Sequence, residues 1–166
     1  MATTAPELAW HDRTLVDRGL GIGALVMLGA ALIAVVRGQP HWHELPVQIW
    51  AHLALLLVAL ALTPVLLFRA KGTRWHRRLG WVWAGSMVGT ALVSFTIRFA
   101  NDGGFSLIHI LSLWVCIQVP MIVWLARRHL VRRHRRTART LVVFALLTAG
   151  FFTFPFDRLM GRWLFG

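Results

Sequence analysis

The sequence predicts an all-α integral membrane protein, and three observations lead to this fold class. Of the 166 residues, 57% are hydrophobic and only 14% are charged, with a mean hydropathy of +0.63. So apolar a chain has too few polar side chains to cover a water-soluble globule of this size. The apolar residues also fall in long runs between short basic segments, which is typical of helices that cross a bilayer repeatedly. We therefore expect one transmembrane domain over residues 1–166.

Five apolar runs are candidates for membrane spans in a window of about 19 residues. They cover residues 20–36, 45–68, 79–97, 105–126 and 138–156. Acidic residues precede the first run and no small-residue cleavage motif follows it, so it is expected to be a retained helix and not a signal peptide. Helices 2–5 are expected to form a four-helix bundle core.

Basic residues predict the orientation of these spans. Five lie between spans two and three, and seven lie between spans four and five, so these two connections hold twelve of the 18 basic residues. They are Arg69, Lys71, Arg74, Arg77, Arg78, Arg127, Arg128, Arg132, Arg133, Arg135, Arg136 and Arg139. The positive-inside rule then places the N-terminus in the cytoplasm. Because the net charge of +12 follows from these loops, we expect contacts with membrane lipids and no nucleic-acid partner.

Histidines are the candidate functional residues, because an ionisable group inside a span is costly and is by default a functional hypothesis. His52 lies seven residues into span two and His109 four residues into span four. At 1.5 Å per residue they sit about 10 and 6 Å below the same outer surface. On a helical projection Gln48, His52 and Thr63 share one side of span two, so these histidines are expected to face the bundle interior.

The hairpin that carries His52 is echoed later in the chain. His52 is followed after 24 residues by the His-Arg-Arg triplet at His76, and His109 after 25 residues by the triplet at His134. This echo predicts two stacked pairs, His52 with His109 and His76 with His134. Opposed histidines on two helices are the axial ligands that b-type haem needs, and Arg98, at the end of span three, is expected to bind a haem propionate.

Span three offers a face of small residues that could approach such a flat ligand. Its members are Gly80, Ala84, Met87, Ala91, Ser94 and Arg98. Gly85 and Gly89 offer a second face for close helix packing. Covalent c-type haem is excluded by the lone Cys116, because that attachment requires a Cys-x-x-Cys-His motif.

Other interpretations of the same residues stay open. The histidines could be structural groups that hydrogen bond to neighbouring helices, in a non-catalytic subunit whose basic loops bind anionic lipid or a partner. The loop motif His41-x-His43-Glu44 could hold zinc or copper. A channel or transporter is the third class, although Arg98 is the single candidate charge within a span. Paired carboxylates and nucleophilic triads are absent from the spans in the sequence, which leaves hydrolysis without candidates.

Several strings resemble a bacterial family of small membrane proteins of unknown function. They are WHRRLGW at 75–81, GFSLIH at 104–109, RHRR at 133–136, GFFTF at 150–154 and RLMGR at 158–162. The resemblance covers roughly residues 20–166 and implies the membrane fold without an activity; family members often carry a histidine near the position of Arg98. In architecture the chain also resembles transmembrane di-haem cytochromes b, which implies electron transfer from a quinol to an acceptor.

The sequence therefore predicts a multi-pass protein of the bacterial inner membrane that binds haem b. Its haem iron is expected between His52 and His109, with His76 and His134 as a second pair and one haem favoured over two. We expect it to act as an electron-transfer module or as a subunit of a membrane oxidoreductase, in contact with a quinone and partner membrane subunits. The alternative is a structural or assembly subunit of a membrane complex.

Overall fold

The structure, a computed structural model, is all-α and describes residues 5–97, 107–155 and 157–166. The longer helices are α1 (Ala5–Arg37), α2 (Val47–Phe68), α3 (Arg74–Ser94) and α4 (Leu107–Arg127). They are followed by α5 (Val131–Leu141), a π-helical segment (Val142–Thr148), α6 (Ala149–Phe151) and α7 (Leu159–Phe165). A short 3₁₀ helix, Gln39–Glu44, joins α1 to α2. No strand occurs within the described ranges, so the all-α part of the predicted fold class is confirmed.

Local sequence signals explain where the chain turns. Gly72 adopts a positive φ of 81° between α2 and α3, a conformation that costs glycine little. Thr73 then caps α3, since its side chain accepts a hydrogen bond from the His76 amide at 3.1 Å. Between α4 and α5 the reversal is made at His129, with φ of 56°.

The helices pack in a ring that follows chain order. Each of α1, α2, α3 and α4 contacts the helix that follows it, and the π-helical segment after α5 contacts α1. The helix α5, the π-helical segment and α6 form one continuous helix from Val131 to Phe151. Together with α1 to α4 it makes five long helices around the core. That core includes Ala24 of α1 together with Leu60, Met87, Val119 and Leu146. The prediction that helices 2–5 alone form the core is therefore wrong, because α1 also buries a side chain there.

Three helices are long and apolar enough to cross a membrane: Leu15–Arg37, Val47–Phe68 and Ile108–Arg127. Their apolar side chains are largely exposed at the protein surface, as in the stripe Ile110, Leu113 and Ile117 of α4, which suits contact with lipid. The five-span count stays a prediction. Arginines at the start of α3 and throughout α5 lower the hydropathy of the other two long helices.

Two predicted spans have different limits in the structure. Span three was placed at 79–97. The helix α3 begins five residues earlier, at Arg74 after its Thr73 cap, and ends at Ser94. Span five was placed at 138–156, but its helix starts at Val131 and ends at Phe151, where the chain turns. The helix α7 was not predicted. It packs against α1, and the Arg37 guanidinium donates to the carbonyl of Leu164 at 2.6 Å.

The two ends of the bundle differ in charge. The connections before α3 and α5 meet the start of the apolar part of α1, and this basic end carries the arginine clusters. At the opposite end, the 3₁₀ helix and α7 pack around the end of α1. The structure thus places both basic connections on one side of the bundle, as the positive-inside argument requires.

Candidate histidine sites

His52 belongs to the half of α2 near the opposite end and points towards α3. Its Nδ1 lies 3.1 Å from the hydroxyl oxygen of Ser94. That hydroxyl donates to the carbonyl of Thr90 at 2.9 Å, so its oxygen accepts a proton from the imidazole. The Nδ1–H of His52 is therefore engaged, and Nε2 carries the lone pair. Gln48 is exposed, so the predicted polar stripe of α2 is inward-facing only at His52 and Thr63.

His109 lies in the first turns of α4 and is buried, with 5% of its surface exposed. Its ring is 6.0 Å from the ring of Phe95, centroid to centroid, and tilted by 39°. Since Phe95 directly follows Ser94, the two histidines contact consecutive residues at the end of α3. They flank α3 from two different helices, at the same level of the bundle.

Small side chains surround this level. Four members of the predicted small-residue face of α3 are buried, Ala84, Met87, Ala91 and Ser94, and the last two lie nearest to this level. On α4, Ser112 is also buried and its hydroxyl donates to the carbonyl of Ile108 at 3.0 Å. Arg98, the predicted propionate ligand, lies outside the described residues.

The second predicted pair lies at the basic end. His134 Nδ1 is 3.0 Å from the carbonyl oxygen of Ile122, to which it donates. Burial lowers the pKa of His76, and the nearby positive charges of His134 and Lys71 lower it further. The Nδ1 atom of His76 is buried and has no hydrogen-bond partner within the described part of the chain. The structure thus brings His76 and His134 close enough to interact electrostatically.

The two levels are well separated along the bundle. Ser94, the contact of His52, lies eighteen positions after His76 on α3, which corresponds to about 27 Å at the helical rise. The two levels therefore cannot share one ligand.

The outer level offers the two imidazoles that a b-type haem would need. Iron in b-type haem takes two imidazole nitrogens, and a ligand histidine commonly holds its other ring N–H in a hydrogen bond that fixes the tautomer. Ser94 does this for His52. Neither the cavity lined by Arg37 and Trp163 nor the groove lined by Trp81 and Trp124 includes His52 or His109 in its walls.

The loop motif His41-x-His43-Glu44 does not form the metal site considered from the sequence. His41 Nδ1 lies 2.9 Å from the Glu44 carboxylate and His43 Nε2 lies 4.0 Å from it. The hydrogen bond from His41 lowers the pKa of Glu44. Across the described residues, no group of three or more His, Cys, Asp and Glu side chains is arranged to hold a metal ion. In the structure the motif is an exposed hydrogen bond between His41 and Glu44.

Sequence reasoning missed a buried ion triad at the basic end. Asp17 of α1 is 5% exposed. Its two oxygens lie 2.7 Å from Lys71 Nζ and 2.8 Å from Arg139 Nε. The available signal was an acidic residue three positions before the long apolar run at 20–36. The triad ties α1 to the α2–α3 connection through Lys71 and to α5 through Arg139.

No protein-family model matches the chain, and neither a curated protein nor a solved structure is significantly similar to it. The resemblances to a bacterial membrane family and to di-haem cytochromes b stay predictions.

Proposed function

We propose that the chain is a bacterial inner-membrane protein that binds haem b between His52 and His109 and serves electron transfer, alone or as a subunit of a redox complex. The observation that carries the proposal is the placement of both histidines against consecutive residues at the end of α3. Two imidazoles from separate helices at one level are the protein side of a bis-histidine haem site. The five-span arrangement with a cytoplasmic N-terminus belongs to the same proposal.

Each residue of this site has a separate task. His52 and His109 would each hold the iron through one ring nitrogen. Ser94 orients His52 and makes its Nε2 more basic by accepting a hydrogen bond from Nδ1–H. Ala91, buried near this level, contributes only a methyl group to the packing. Haem b bound here would supply a one-electron iron couple, for which a quinol is the partner expected within a membrane.

A second haem between His76 and His134 is supported by a different observation. The buried Nδ1 of His76 lacks a hydrogen-bond partner in the described ranges, and burying a polar atom without one costs free energy. His134 donates its Nδ1–H to a backbone carbonyl, which leaves its Nε2 as the donor atom. A ligand atom bound at Nδ1 itself would remove the penalty at His76.

The alternative function is a non-catalytic subunit of a membrane complex. The observation that favours it is the same hydrogen bond between His52 and Ser94, because it also satisfies a histidine whose role is to join α2 to α3. The two functions differ in what Ser94→Ala does. A haem ligand that loses its orienting partner weakens cofactor binding by about tenfold or more, whereas a structural histidine loses only stability.

The test is the absorption spectrum of the protein purified in mild detergent from haem-supplied cells, recorded before and after dithionite, with extraction of the pigment. We expect sharp reduced bands of a cytochrome b. His109→Ala and His52→Ala should each remove the haem held at this site, and His129→Ala, in the exposed α4–α5 connection, should keep it. A colourless wild-type protein, or full haem content in His109→Ala, would overturn the proposal. Loss of half the haem in His76→Ala would establish the second site.

A further inference from the structure

A groove of about 450 Å³ opens on the outer surface of the bundle between α3 and α4. Ala84 and Val119 are buried at its floor, and the half-exposed indoles of Trp81 and Trp124 stand at its sides. Gly85 lies in it and is exposed, and a Cβ atom added there would meet nothing within 4 Å. The groove therefore exists because α3 places residues with little or no side chain opposite α4.

The groove faces the region where acyl chains lie. It belongs to the surface of α4, one of the helices long and apolar enough to cross a membrane. Next to it, Ile117, Met121 and Trp124 are exposed, so the surrounding surface suits lipid and not water. Arg127 lies eight positions after Val119 on α4, so the groove is about 12 Å long in the direction of the helix.

A cation closes the groove at the basic end. The guanidinium of Arg127, from α4, lies 5.4 Å from the centre of the Trp81 ring on α3. Arg128 is placed in the same way over Trp124, at 5.7 Å. A guanidinium stacked on an indole face still presents its N–H edge to an anion. Hydrogen-bond donors and positive charge thus stand directly above an apolar slot.

We propose that this groove binds an anionic glycerophospholipid, with one acyl chain along Gly85 and the phosphodiester at Arg127 and Arg128. Charge complementarity selects this occupant. An uncharged lipid or a quinone would fill the apolar slot but leave the arginines without an anion, while a soluble phosphate would leave the slot empty. Basic residues next to apolar grooves at the positively charged side of a membrane protein are the expected recognition elements for anionic headgroups. The site is independent of the histidine pairs and of any haem.

The test is native mass spectrometry of the full chain in detergent, titrated with phosphatidylglycerol or with phosphatidylcholine of the same acyl chains. We expect the first phosphatidylglycerol to bind more tightly than phosphatidylcholine by about fivefold for each of the two arginines near its headgroup, about 25-fold in all. Arg127→Gln should reduce this preference about fivefold. Arg132→Gln, an exposed arginine of α5 outside the groove, loses the same charge and should keep it.

A second pair of variants tests the slot itself. Gly85→Leu fills the groove and should lower binding of both lipids. Gly29→Leu is the matched control, because an added Cβ at Gly29 of α1 also meets nothing within 4 Å. Leucine favours a helix more than glycine does, so neither change should unfold the protein, and a thermal melt checks this. Equal affinity of the wild type for the two lipids, or equal binding by the two leucine variants, would overturn the proposal.

Discussion

Replacing Asp17 by asparagine should destabilise the protein strongly, because one carboxylate neutralises two cations at the basic end. The carboxylate is almost fully buried, and its contacts to Lys71 and Arg139 are both shorter than 3 Å. Asparagine keeps the shape and removes the charge. The guanidinium of Arg139 would then lose the negative charge that Asp17 places 2.8 Å from its Nε.

The magnitude follows from how exposed each cation is. Removing one partner of a fully buried pair costs about 3–5 kcal/mol. The side chain of Arg139 is 19% exposed, so its share is discounted to about 2 kcal/mol. The side chain of Lys71 is 37% exposed and can turn to water, so its share is about 1 kcal/mol or less. Asp17→Asn should therefore cost about 3 kcal/mol, a shift of roughly a hundredfold in the unfolding equilibrium.

The assay is reversible unfolding in mixed detergent micelles, followed by helical circular dichroism. Asp157→Asn is the matched control, since that carboxylate is 82% exposed and 4.0 Å from Arg162; it should change stability by less than about 0.5 kcal/mol. A double-mutant cycle of Asp17→Asn with Arg139→Gln should show coupling of at least about 1 kcal/mol. Additive effects in that cycle, or an Asp17→Asn protein as stable as the control, would refute the reasoning.

Three further substitutions test contacts of the fold. Thr63→Val should cost about 1–2 kcal/mol in the same unfolding assay, because the buried indole N–H of Trp83 donates to the Thr63 hydroxyl at 3.0 Å; an unchanged stability would contradict this. Gly161→Ala should destabilise the docking of α7, since its Cβ would overlap a backbone carbonyl of the preceding turn, and loss of protease resistance in the C-terminal segment measures it. Burial, together with the charge of His134, lowers the pKa of His76. The unfolded chain therefore binds this proton more readily, and stability should fall as the pH drops below about 6.5, the ordinary histidine pKa. His76→Gln should reduce that pH dependence, and an unaltered pH profile would argue against it.

The apolar runs predicted the positions of the long helices, because an apolar helix depends mainly on the composition of its own segment. A run such as 45–68 reports the thickness of a bilayer, and α2 occupies nearly the same residues, Val47–Phe68. Helix ends were less predictable where charged residues continue a helix past the apolar run. Arg74, His76 and the arginines of α5 are helical although they are polar, because capping by Thr73 and packing on neighbouring helices stabilise those turns.

The candidate sites depended on packing, which the sequence reports less directly. Comparable depths of His52 and His109 could be calculated from the helical rise, and in the structure both contact residues at the end of α3. The partner of His52 was not predicted, because Ser94 belongs to a different helix and only the rotation of α3 brings it there. The groove beside Gly85 was not predicted either, because a glycine on a helix can mark either close packing or open space.

The glycines of α3 show how the structure separates these two meanings. A Cβ at Gly89 would lie 3.0 Å from a methyl group of Leu55 on α2, whereas a Cβ at Gly85 would meet nothing. The two residues are four positions apart, slightly more than one helical turn, so they point in directions about 40° apart around the helix axis. Gly89 lets α2 approach closely at the level of the histidines, while Gly85 leaves the surface facing α4 open. Gly89→Leu should therefore disturb the packing that positions His52 against Ser94, and Gly85→Leu should affect lipid binding alone. One helix thus supports both proposed sites through the same residue type used in opposite ways.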